Sequence, residues 1–257
     1  MKPLAIDLFC GLGGWADGFL AEGYDVIGFD IERHDYGTGG YPGQLVLQDV
    51  LTLHGSQFRN AACIVASPPC QAYSYRAMPW KRAKALPPPS NELFDACFRI
   101  QREACEAANP RTGQCQAFGS CRRPAITLGH FGRPVCRGCS AYGWGLYGPP
   151  THTTAYRYIP MVVENVRGAE RWVGPARARY GSYFIWGDVP ALIPIGKPRK
   201  QEGDRSWFYD NYENSARRFS SHSKQRKAWS AQIAKIPFEL AAHIAMCFRP
   251  ANCEAVA

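Results

Sequence analysis

The fold is decided by residues 4–14, which read LAIDLFCGLGG. Residues 4–9 form an apolar run broken by a single acid, a pattern that predicts a buried β-strand. The glycine-rich turn after it leads into residues 15–23, a short helical pattern that ends in a glycine. Because glycine lets a ligand approach the backbone and a helix N-terminus offers unpaired N–H groups, this unit predicts a nucleotide-type site. The same pattern also fits a simple tight turn between a strand and a helix.

Strand and helix patterns alternate through the rest of the chain. Apolar runs predict further strands at residues 24–32, 45–50, 63–66, 159–166 and 183–187. Apolar residues at steps of three and four predict a helix from Ser90, its N-cap, to residue 108, and a last helix over residues 236–245 has Pro237 in its first turn. Residues 188–230 are predicted to be irregular. This alternation predicts an α/β fold with a doubly wound, mostly parallel Rossmann-like sheet.

The predicted strand at residues 63–66 runs directly into Ser67-Pro68-Pro69-Cys70-Gln71. Two prolines deny the strand its next ladder hydrogen bonds, so the chain must leave the sheet at this point. Ligands of open α/β sheets bind outside the carboxyl ends of the strands, which is where Cys70 falls. Cys70 is therefore a candidate nucleophile, and the alternative is a small buried thiol with no chemical role.

Two acids follow the early strands. Asp30 ends the second predicted strand about 20 positions after the glycine-rich turn, where a carboxylate suits a ribose diol, and Glu32 is the second choice. Asp49 stands just past the third strand, where it can read a polar edge of an adenine. For Asp30 and Glu32 the alternative is a solvated loop acid or a helix cap.

Composition limits the class of protein. The chain has 257 residues, a formal net charge of +9 and 11 cysteines. The positive charge favours polyanionic partners such as nucleic acid. Without a long apolar run or a signal peptide, the sequence predicts a protein of a reducing cytoplasm and no membrane partner. An odd number of cysteines fits poorly with a disulfide framework and better with catalytic or metal-bound thiols.

A cysteine-rich segment interrupts the pattern after residue 109. Cys115 and Cys121 are followed by Cys136 and Cys139, with a hairpin-length spacer between the two pairs. Two cysteine pairs on short turns predict a four-thiolate structural Zn²⁺ site, which would stabilise a segment with few large aliphatic residues. The alternatives are that His130 replaces one thiolate, or that the four thiols bind no metal.

In this order, and at these strand ends, the motifs resemble those of the cytosine-C5 DNA methyltransferase family, which uses S-adenosylmethionine. Residues 7–14 (DLFCGLGG) are similar to the family's first motif, Pro69-Cys70-Gln71 to its catalytic motif, residues 91–94 (NELF) to its fifth motif, and Glu164-Asn165-Val166 to its Glu-Asn-Val motif. The resemblance covers most of the chain except the cysteine-rich segment and the basic segment before the last helix. It implies that the doubly wound sheet is a methyltransferase sheet.

The resemblance also implies roles for single residues. The implied cofactor contacts are Phe9, Gly11, Gly13, Gly14, Asp30, Ile31, Asp49, Pro69 and Leu93. Cys70 would attack C6 of cytosine so that C5 becomes nucleophilic. Glu164 would protonate or hydrogen-bond N3, Asn165 would orient the catalytic loop, and Arg179 would hold O2.

Three features depart from the family's pattern. Its Gln-x-Arg-x-Arg motif is absent, and Arg177-x-Arg179 precedes the corresponding strand at a longer spacing. Ile236-Pro237 stands where many members have Gly-Asn. The target-recognition region is short, and the cysteine-rich segment occupies an unusual place between the fifth motif and the Glu-Asn-Val motif.

The organisation expected from these patterns has five parts. Residues 1–109 and 146–187 form the catalytic domain, 110–145 the cysteine-rich zinc module, 188–232 a basic and aromatic target-recognition region, and 233–257 a helix that returns to the catalytic domain. The target base would be flipped out of double-stranded DNA, with backbone phosphates contacted by Lys197, Arg199, Lys200, Arg217, Arg218, Lys224, Arg226 and Lys227.

The function expected from the sequence is methylation of C5 of cytosine in DNA by a cytoplasmic monomer of a bacterial cell or a phage-infected host. Two alternatives stay open. The substrate could instead be RNA or a free cytosine nucleotide. The protein could also be a catalytically silent regulator that binds DNA and cofactor, although such a regulator has no need for both Cys70 and Glu164.

Overall fold

The computed structural model describes residues 2–37, 39–77, 81–109, 127–128, 134–135, 157–195, 220 and 223–250. Its strands, in chain order, are β1 (Leu4–Leu8), β2 (Asp25–Asp30), β3 (Gln44–Leu47), β4 (Cys63–Ala66), β5 (Thr127–Leu128), β6 (Pro134–Val135), β7 (Met161–Asn165), β8 (Ala178–Tyr180) and β9 (Tyr183–Gly187). Its helices are α1 (Gly14–Ala21), α2 (Gln71–Ala77), α3 (Lys81–Lys84), α4 (Glu92–Ala108), α5 (Glu170–Val173), α6 (Lys224–Ala234) and α7 (Phe238–Cys247). Short 3₁₀ turns cover Val50–Thr52, Gly55–Phe58 and Arg167–Ala169.

Seven strands form one sheet in the order β3-β2-β1-β4-β7-β9-β8. The first five in this order are parallel, and β9 runs antiparallel to both β7 and β8. The chain moves outward from β1 to β2 and β3, then returns to place β4 on the other side of β1. This reversal makes a crevice at the carboxyl ends of β1 and β4, the place where open α/β sheets bind ligands. The prediction of a mostly parallel α/β sheet is confirmed.

Alternating side chains divide the core into two faces. Ile6, Leu8, Ile64, Ala66 and Val163 pack with apolar residues of α4, and we call this side the α4 face. Ala5, Val65 and Val162 pack on the other side with residues of α1 and α7, and we call it the α1–α7 face. A strand buried on both faces needs an unbroken apolar run, which explains the composition of β4 and β7. The molecule is thus layered as helix, sheet and helix.

Close packing of α1 on α7 depends on Gly18. A Cβ atom at this position would overlap the backbone of Ala242 and lie 2.5 Å from Cβ of Ala241. The absence of a side chain therefore lets the two helices approach. The contact brings the last helix against α1.

Several local predictions differ from the structure. Residues 188–230 were expected to be irregular, but α6 covers Lys224–Ala234, where Ser223 caps the helix by accepting from the N–H of Arg226 at 3.2 Å. Its composition is polar and shows no apolar period, so periodicity could not reveal it. The three-residue strand β8 was also missed. Asn91 rather than Ser90 occupies the N-cap of α4, and Ser90 instead accepts from the N–H of Glu92.

The cysteine-rich segment is described only at β5 and β6, which pair antiparallel. This short hairpin falls within the spacer between the two cysteine pairs, whose four members lie outside the described residues. Of the helices that the structure describes, none is both long and apolar enough to cross a lipid bilayer.

Candidate active site

A cleft of about 660 Å³ opens at the carboxyl ends of β1, β2, β4 and β7. Its volume lies in the range of small-molecule sites. It is lined by ten of the residues expected from the sequence to bind cofactor or act in catalysis: Phe9, Gly11, Gly14, Asp30, Ile31, Asp49, Pro69, Cys70, Leu93 and Glu164. The residues Gly13, Asn165 and Arg179 are not in its lining. Residues that are far apart in the sequence therefore share one site because their strands end at the same edge of the sheet.

The turn after β1 has an unusual backbone. Phe9 has φ 57°, and it is the only residue other than glycine with positive φ in the part of the chain that the structure describes. A bulky side chain in this region is strained, and such strain is found mostly at functional sites. Gly11 follows with φ +50° and no atom within 4 Å of the place where a Cβ would stand. The backbone at Gly11 is thus open to a ligand in the cleft.

The other two glycines of this turn have packing roles. Gly13 is the left-handed N-cap of α1, and a Cβ there would overlap the ring of Pro42. A Cβ on Gly14 would overlap the backbone of Ile236. Gly14 also lines the cleft, so its lack of a side chain serves both the fold and the site. Gly13 stays a predicted cofactor contact, although the structure gives it a sufficient structural reason.

Asp30 joins β2 to the glycine-rich turn. One carboxylate oxygen accepts the N–H of Gly11 at 2.9 Å, and the other accepts the N–H of Ile31 at 2.8 Å. Burial opposes ionisation of this carboxyl group, but hydrogen bonds from His34 and Gly11 outweigh it and hold the pKa of Asp30 below its ordinary value. Asp30 therefore presents a fixed negative charge and free lone pairs to the cleft.

Asp7 lies beneath the glycine-rich turn, fully buried in β1. Its Oδ2 accepts a hydrogen bond from the hydroxyl of Tyr41 at 3.1 Å, and its Oδ1 has no partner among the described residues. Burial, with some repulsion from Asp30, raises the pKa of Asp7 well above its ordinary range. The ring of Tyr41 fits where a Cβ on Gly28 would stand, which holds the loop after β2 on the sheet.

Cys70 stands between the two prolines and α2, and its carbonyl accepts the N–H of Ser74 at 2.9 Å. Its thiol is half-buried and faces the cleft, whereas Cys10, Cys63, Cys97 and Cys105 are buried. Cys10 also lines the cleft, but burial and the nearby charges of Asp7 and Asp30 raise the pKa of its thiol far above the usual range. Of the two cleft thiols, Cys70 is therefore the more exposed one.

Two hydrogen bonds hold the loop that carries Cys70. The side-chain amide of Asn165 donates to the carbonyl of Pro68 at 3.0 Å, and its Oδ1 accepts the N–H of Val166 at 2.8 Å. On the other side, the indole N–H of Trp15 donates to the hydroxyl of Ser67 at 3.0 Å. The loop is thereby tied both to the end of β7 and to α1.

Glu164 and Arg179 lie on opposite faces of the sheet. Glu164 pairs with Ile185, which belongs to the α1–α7 face, and its carboxyl group lines the cleft with 2% of the residue exposed. Arg179 pairs with Phe184, which packs on the α4 face, and lies level with Asn165 two strands away. Side chains alternate along a strand, so Arg179 projects away from the face that carries Glu164. Its contact with the base stays a prediction.

Asp49 and Leu93 complete the wall opposite the glycine-rich turn. Asp49 is exposed and caps the turn at Val50–Thr52 by accepting the N–H of Leu51 at 2.9 Å. Leu93 stands in the first turn of α4 and is half-buried. Asp49 therefore caps this turn, which the sequence did not predict, and its second carboxylate oxygen is available to a ligand.

Several further residues line the cleft without having been predicted to bind cofactor or act in catalysis: Trp15, Ser67, His34 and Ile236, together with Arg226 and Lys227 of α6. The last two were expected to contact DNA phosphates, and the structure puts them in the wall of the cleft. Lys224 is exposed, and the other five predicted phosphate contacts lie outside the described residues. A signal was present only for His34, which follows Asp30 by one helical turn's spacing.

No group of three or more histidine, cysteine, aspartate or glutamate side chains could hold a metal ion within the described ranges. The four cysteines expected to bind zinc, Cys115, Cys121, Cys136 and Cys139, lie outside those ranges. Their role stays a prediction.

A family of known proteins matches the part of the chain that contains β1 to β4 and most of α4. Residues 4–104 match the family model of C-5 cytosine-specific DNA methylases. The matched range includes Asp30 and Cys70 but ends before Glu164. A similar solved structure, from E. coli, is provisionally described as a DNA modification methyltransferase encoded within a prophage. It is 20% identical, with 67% of this chain and 35% of that chain covered and a TM-score of 0.35. This chain thus spans about a third of that structure's length. No curated protein matches the chain.

Proposed function

We propose that this chain, whose residues 4–104 match the family model of C-5 cytosine-specific DNA methylases, transfers a methyl group from S-adenosylmethionine to C5 of cytosine in DNA. One observation carries the proposal: a half-buried cysteine and a buried glutamate line the same cleft as a glycine-rich turn and an ionised aspartate. Methyl transfer to an unreactive ring carbon needs a nucleophile, a proton donor and a cofactor site side by side.

The cleft fits the cofactor on three grounds. The open backbone at Gly11 permits close approach, and the charged Asp30 offers a carboxylate acceptor for a ribose hydroxyl. Apolar surface for an adenine is available from Phe9, Leu93 and the side chain of Ile31, which is 73% exposed. S-adenosylmethionine supplies an electrophilic methyl group when it is bound. The methyl group would be needed near Cys70, because the target carbon is adjacent to the carbon that the thiol attacks.

Cys70 would act as the nucleophile. Its thiolate forms a bond to C6 of cytosine, which pushes electrons onto C5 and makes that carbon able to accept a methyl group. Glu164 would donate a proton or hydrogen bond to N3, a role that its position in the cleft lining permits. A base then removes the C5 proton as the sulfur–C6 bond breaks, which restores the aromatic ring and the thiolate.

Asn165 and Ser67 would hold the nucleophile in place. Asn165 donates a hydrogen bond to the carbonyl of Pro68 in the loop before Cys70. Ser67 is part of this loop, and its hydroxyl accepts the indole N–H of Trp15. A displacement of about 1 Å in a reacting atom can cost two orders of magnitude in rate, so such contacts act on catalysis without touching the substrate.

Double-stranded DNA is the proposed partner. A cytosine inside a duplex must be flipped out to enter the cleft, at a cost of a few kcal/mol. The surface beyond β7 supplies candidate phosphate contacts: Arg167, Arg171 and Arg177 are exposed, and none forms an ion pair with a described residue. The region at residues 188–232 would read the bases, and the cysteine-rich module would hold zinc.

The decisive experiment uses duplex DNA, a structured RNA and dCMP side by side with labelled S-adenosylmethionine. We expect methyl transfer to duplex DNA, none with Cys70→Ala, and full transfer with Cys247→Ala, the control for loss of an exposed thiol outside the cleft. Duplex DNA containing 5-fluorocytosine should trap a covalent adduct on Cys70, because fluorine cannot leave as the C5 proton does.

Other outcomes would overturn parts of the proposal. Transfer by the Cys70→Ala variant would refute the covalent mechanism. Preference for RNA or dCMP would change the substrate, and binding of DNA and cofactor without any product would indicate a silent regulator. Bisulfite sequencing of DNA from cells that express the protein would then give the bases around the target cytosine.

A further inference from the structure

His34 is placed to act on Asp30. Its Nε2 lies 3.4 Å from Oδ1 of Asp30, and its Nδ1 lies 3.3 Å from the hydroxyl of Tyr36. Only 18% of the His34 side chain is exposed, and His34, Asp30 and Tyr36 all line the cleft. The carboxylate of Asp30 can only accept, so Nε2 carries the hydrogen that points at it. Nδ1 accepts from the Tyr36 hydroxyl when the ring is neutral and donates to its oxygen when the ring is protonated.

The same carboxylate has three backbone donors already. Gly11 donates to Oδ2, whereas Ile31 and, at 3.4 Å, Glu32 donate to Oδ1, the oxygen that His34 approaches from the loop after β2. Together the four contacts determine the rotamer of Asp30. Oδ2, with a single protein donor, is the oxygen best able to accept from a ligand hydroxyl group in the cleft.

The charges around His34 support this arrangement. Its contact with Asp30 raises the pKa of His34 above the ordinary value, with a further contribution from Glu32 and opposition from partial burial and from Lys227 of α6. The titratable groups that face His34 are thus Asp30, Glu32, Tyr36 and Lys227. In return, His34 contributes to the low pKa of Asp30, so each group favours the charged form of the other.

We propose that His34 is a positioning residue, which holds the Asp30 carboxylate ionised and in one orientation for the ribose hydroxyls of the cofactor. The inference rests on the proposed function, because it takes S-adenosylmethionine as the ligand of the cleft. His34 does not touch the reacting carbon atoms, so it acts on cofactor affinity and leaves the chemical step unchanged. A glutamine can place an amide N–H near the position of Nε2, so it should replace His34 better than alanine does.

Direct binding tests the inference without turnover. The dissociation constants of S-adenosylmethionine and S-adenosylhomocysteine are measured by calorimetry, without DNA, for the wild type, His34→Ala and His34→Gln. A hydrogen bond to a charged group corresponds to roughly a tenfold or greater change in affinity, which is the loss we expect for His34→Ala. For His34→Gln we expect a loss of only about threefold. His243→Ala is the matched control, since His243 lies on α7 and contacts the carbonyl of Leu192.

Steady-state kinetics supply the second readout. The KM for S-adenosylmethionine should rise in His34→Ala while kcat at saturating cofactor stays within about twofold, and a structural defect would lower kcat as well. Equal affinity of His34→Ala and wild type would overturn the inference, and so would a His34→Gln variant as weak as His34→Ala. A wild type that binds neither compound would overturn the proposed function itself. If the wild type binds cofactor and methylates DNA and the His34→Ala variant does both equally well, only the His34 inference is overturned.

Discussion

The side-chain amide of Asn165 donates a hydrogen bond of 3.0 Å to the carbonyl of Pro68, two residues before Cys70. Asn165 is 1% exposed and accepts the N–H of Val166 with its other polar atom. The end of β7 thus sets the position of the loop after β4. A buried carbonyl without its donor costs about 1–3 kcal/mol, so this contact is a sensitive point of the site.

Asn165→Asp should separate the two hydrogen bonds of Asn165. The aspartate keeps the acceptor for Val166 but loses the donor to Pro68, and two oxygens then face each other in a buried place. We expect the rate of covalent trapping by 5-fluorocytosine DNA to fall at least tenfold, measured as the adduct formed with time on denaturing gels. Asn60→Asp, at an exposed position outside the cleft, is the control. Trapping at the wild-type rate would show that the loop does not depend on this contact.

Ser67→Ala should loosen the same loop from its other side. The change removes the acceptor of the Trp15 indole N–H, which is buried with 2% of the residue exposed. We expect a loss of about 1–3 kcal/mol in the free energy of unfolding from urea denaturation, with lower methyl transfer. Ser56→Ala, on the outer face of the 3₁₀ turn at Gly55–Phe58, should change methyl transfer little. An unchanged unfolding midpoint for Ser67→Ala would contradict the prediction.

Asp7→Asn should make stability less dependent on pH. Asp7 has a raised pKa in the folded protein, so its folded form binds a proton that the unfolded form releases above about pH 4. This contribution to stability is complete below the unfolded pKa and is lost as pH rises toward the folded pKa. The asparagine does not titrate and can still bond to Tyr41. The thermal midpoint of Asp7→Asn, relative to wild type, should therefore be higher at pH 8 than at pH 5; a constant difference would refute the assignment.

Zinc in the cysteine-rich module is predicted at one ion per chain. Inductively coupled plasma mass spectrometry of the purified protein should give this ratio, and Cys136→Ser or Cys139→Ser should abolish it, because structural zinc sites use four ligands. Cys247→Ser, which removes a thiol outside the module, should leave the ratio unchanged. A wild type without zinc would refute the four-thiolate site, and zinc retained by Cys136→Ser would favour His130 or another ligand in its place.

Elements with a strong local signal were predicted well. In β4, β7 and α4 the buried residues form an apolar run or recur at steps of three and four, and such a pattern can be recognised within one segment of sequence. The helix α6 was missed because its residues are mostly polar and its role is to form a wall of the cleft. The strand β8 is too short for a period to show, and the face on which Arg179 lies followed only from its pairing with β9.

The site was predictable in its residue types and much less in its contacts. Cys70 could be named because it follows a predicted strand, and Asp30 and Glu164 because they lie near the ends of predicted strands, with the role of Glu164 implied by the family resemblance. Their supports could not, since Trp15 meets Ser67 across 52 positions and Asn165 meets Pro68 across 97. Local propensity acts over a few residues and carries no information on such distances.

The sequence by itself determined the α/β class, the parallel strands, the glycine-rich turn and the cysteine after two prolines, because burial and backbone freedom are read from neighbouring residues. Only the tertiary structure decided which side chains share the cleft. The order of strands brought β1, β2, β4 and β7 to one edge, and the alternation of side chains assigned Glu164 to the face of the cleft and Arg179 to the other. The hydrogen bond of Asn165 to Pro68 follows from that order, because it joins segments that meet only in the folded protein.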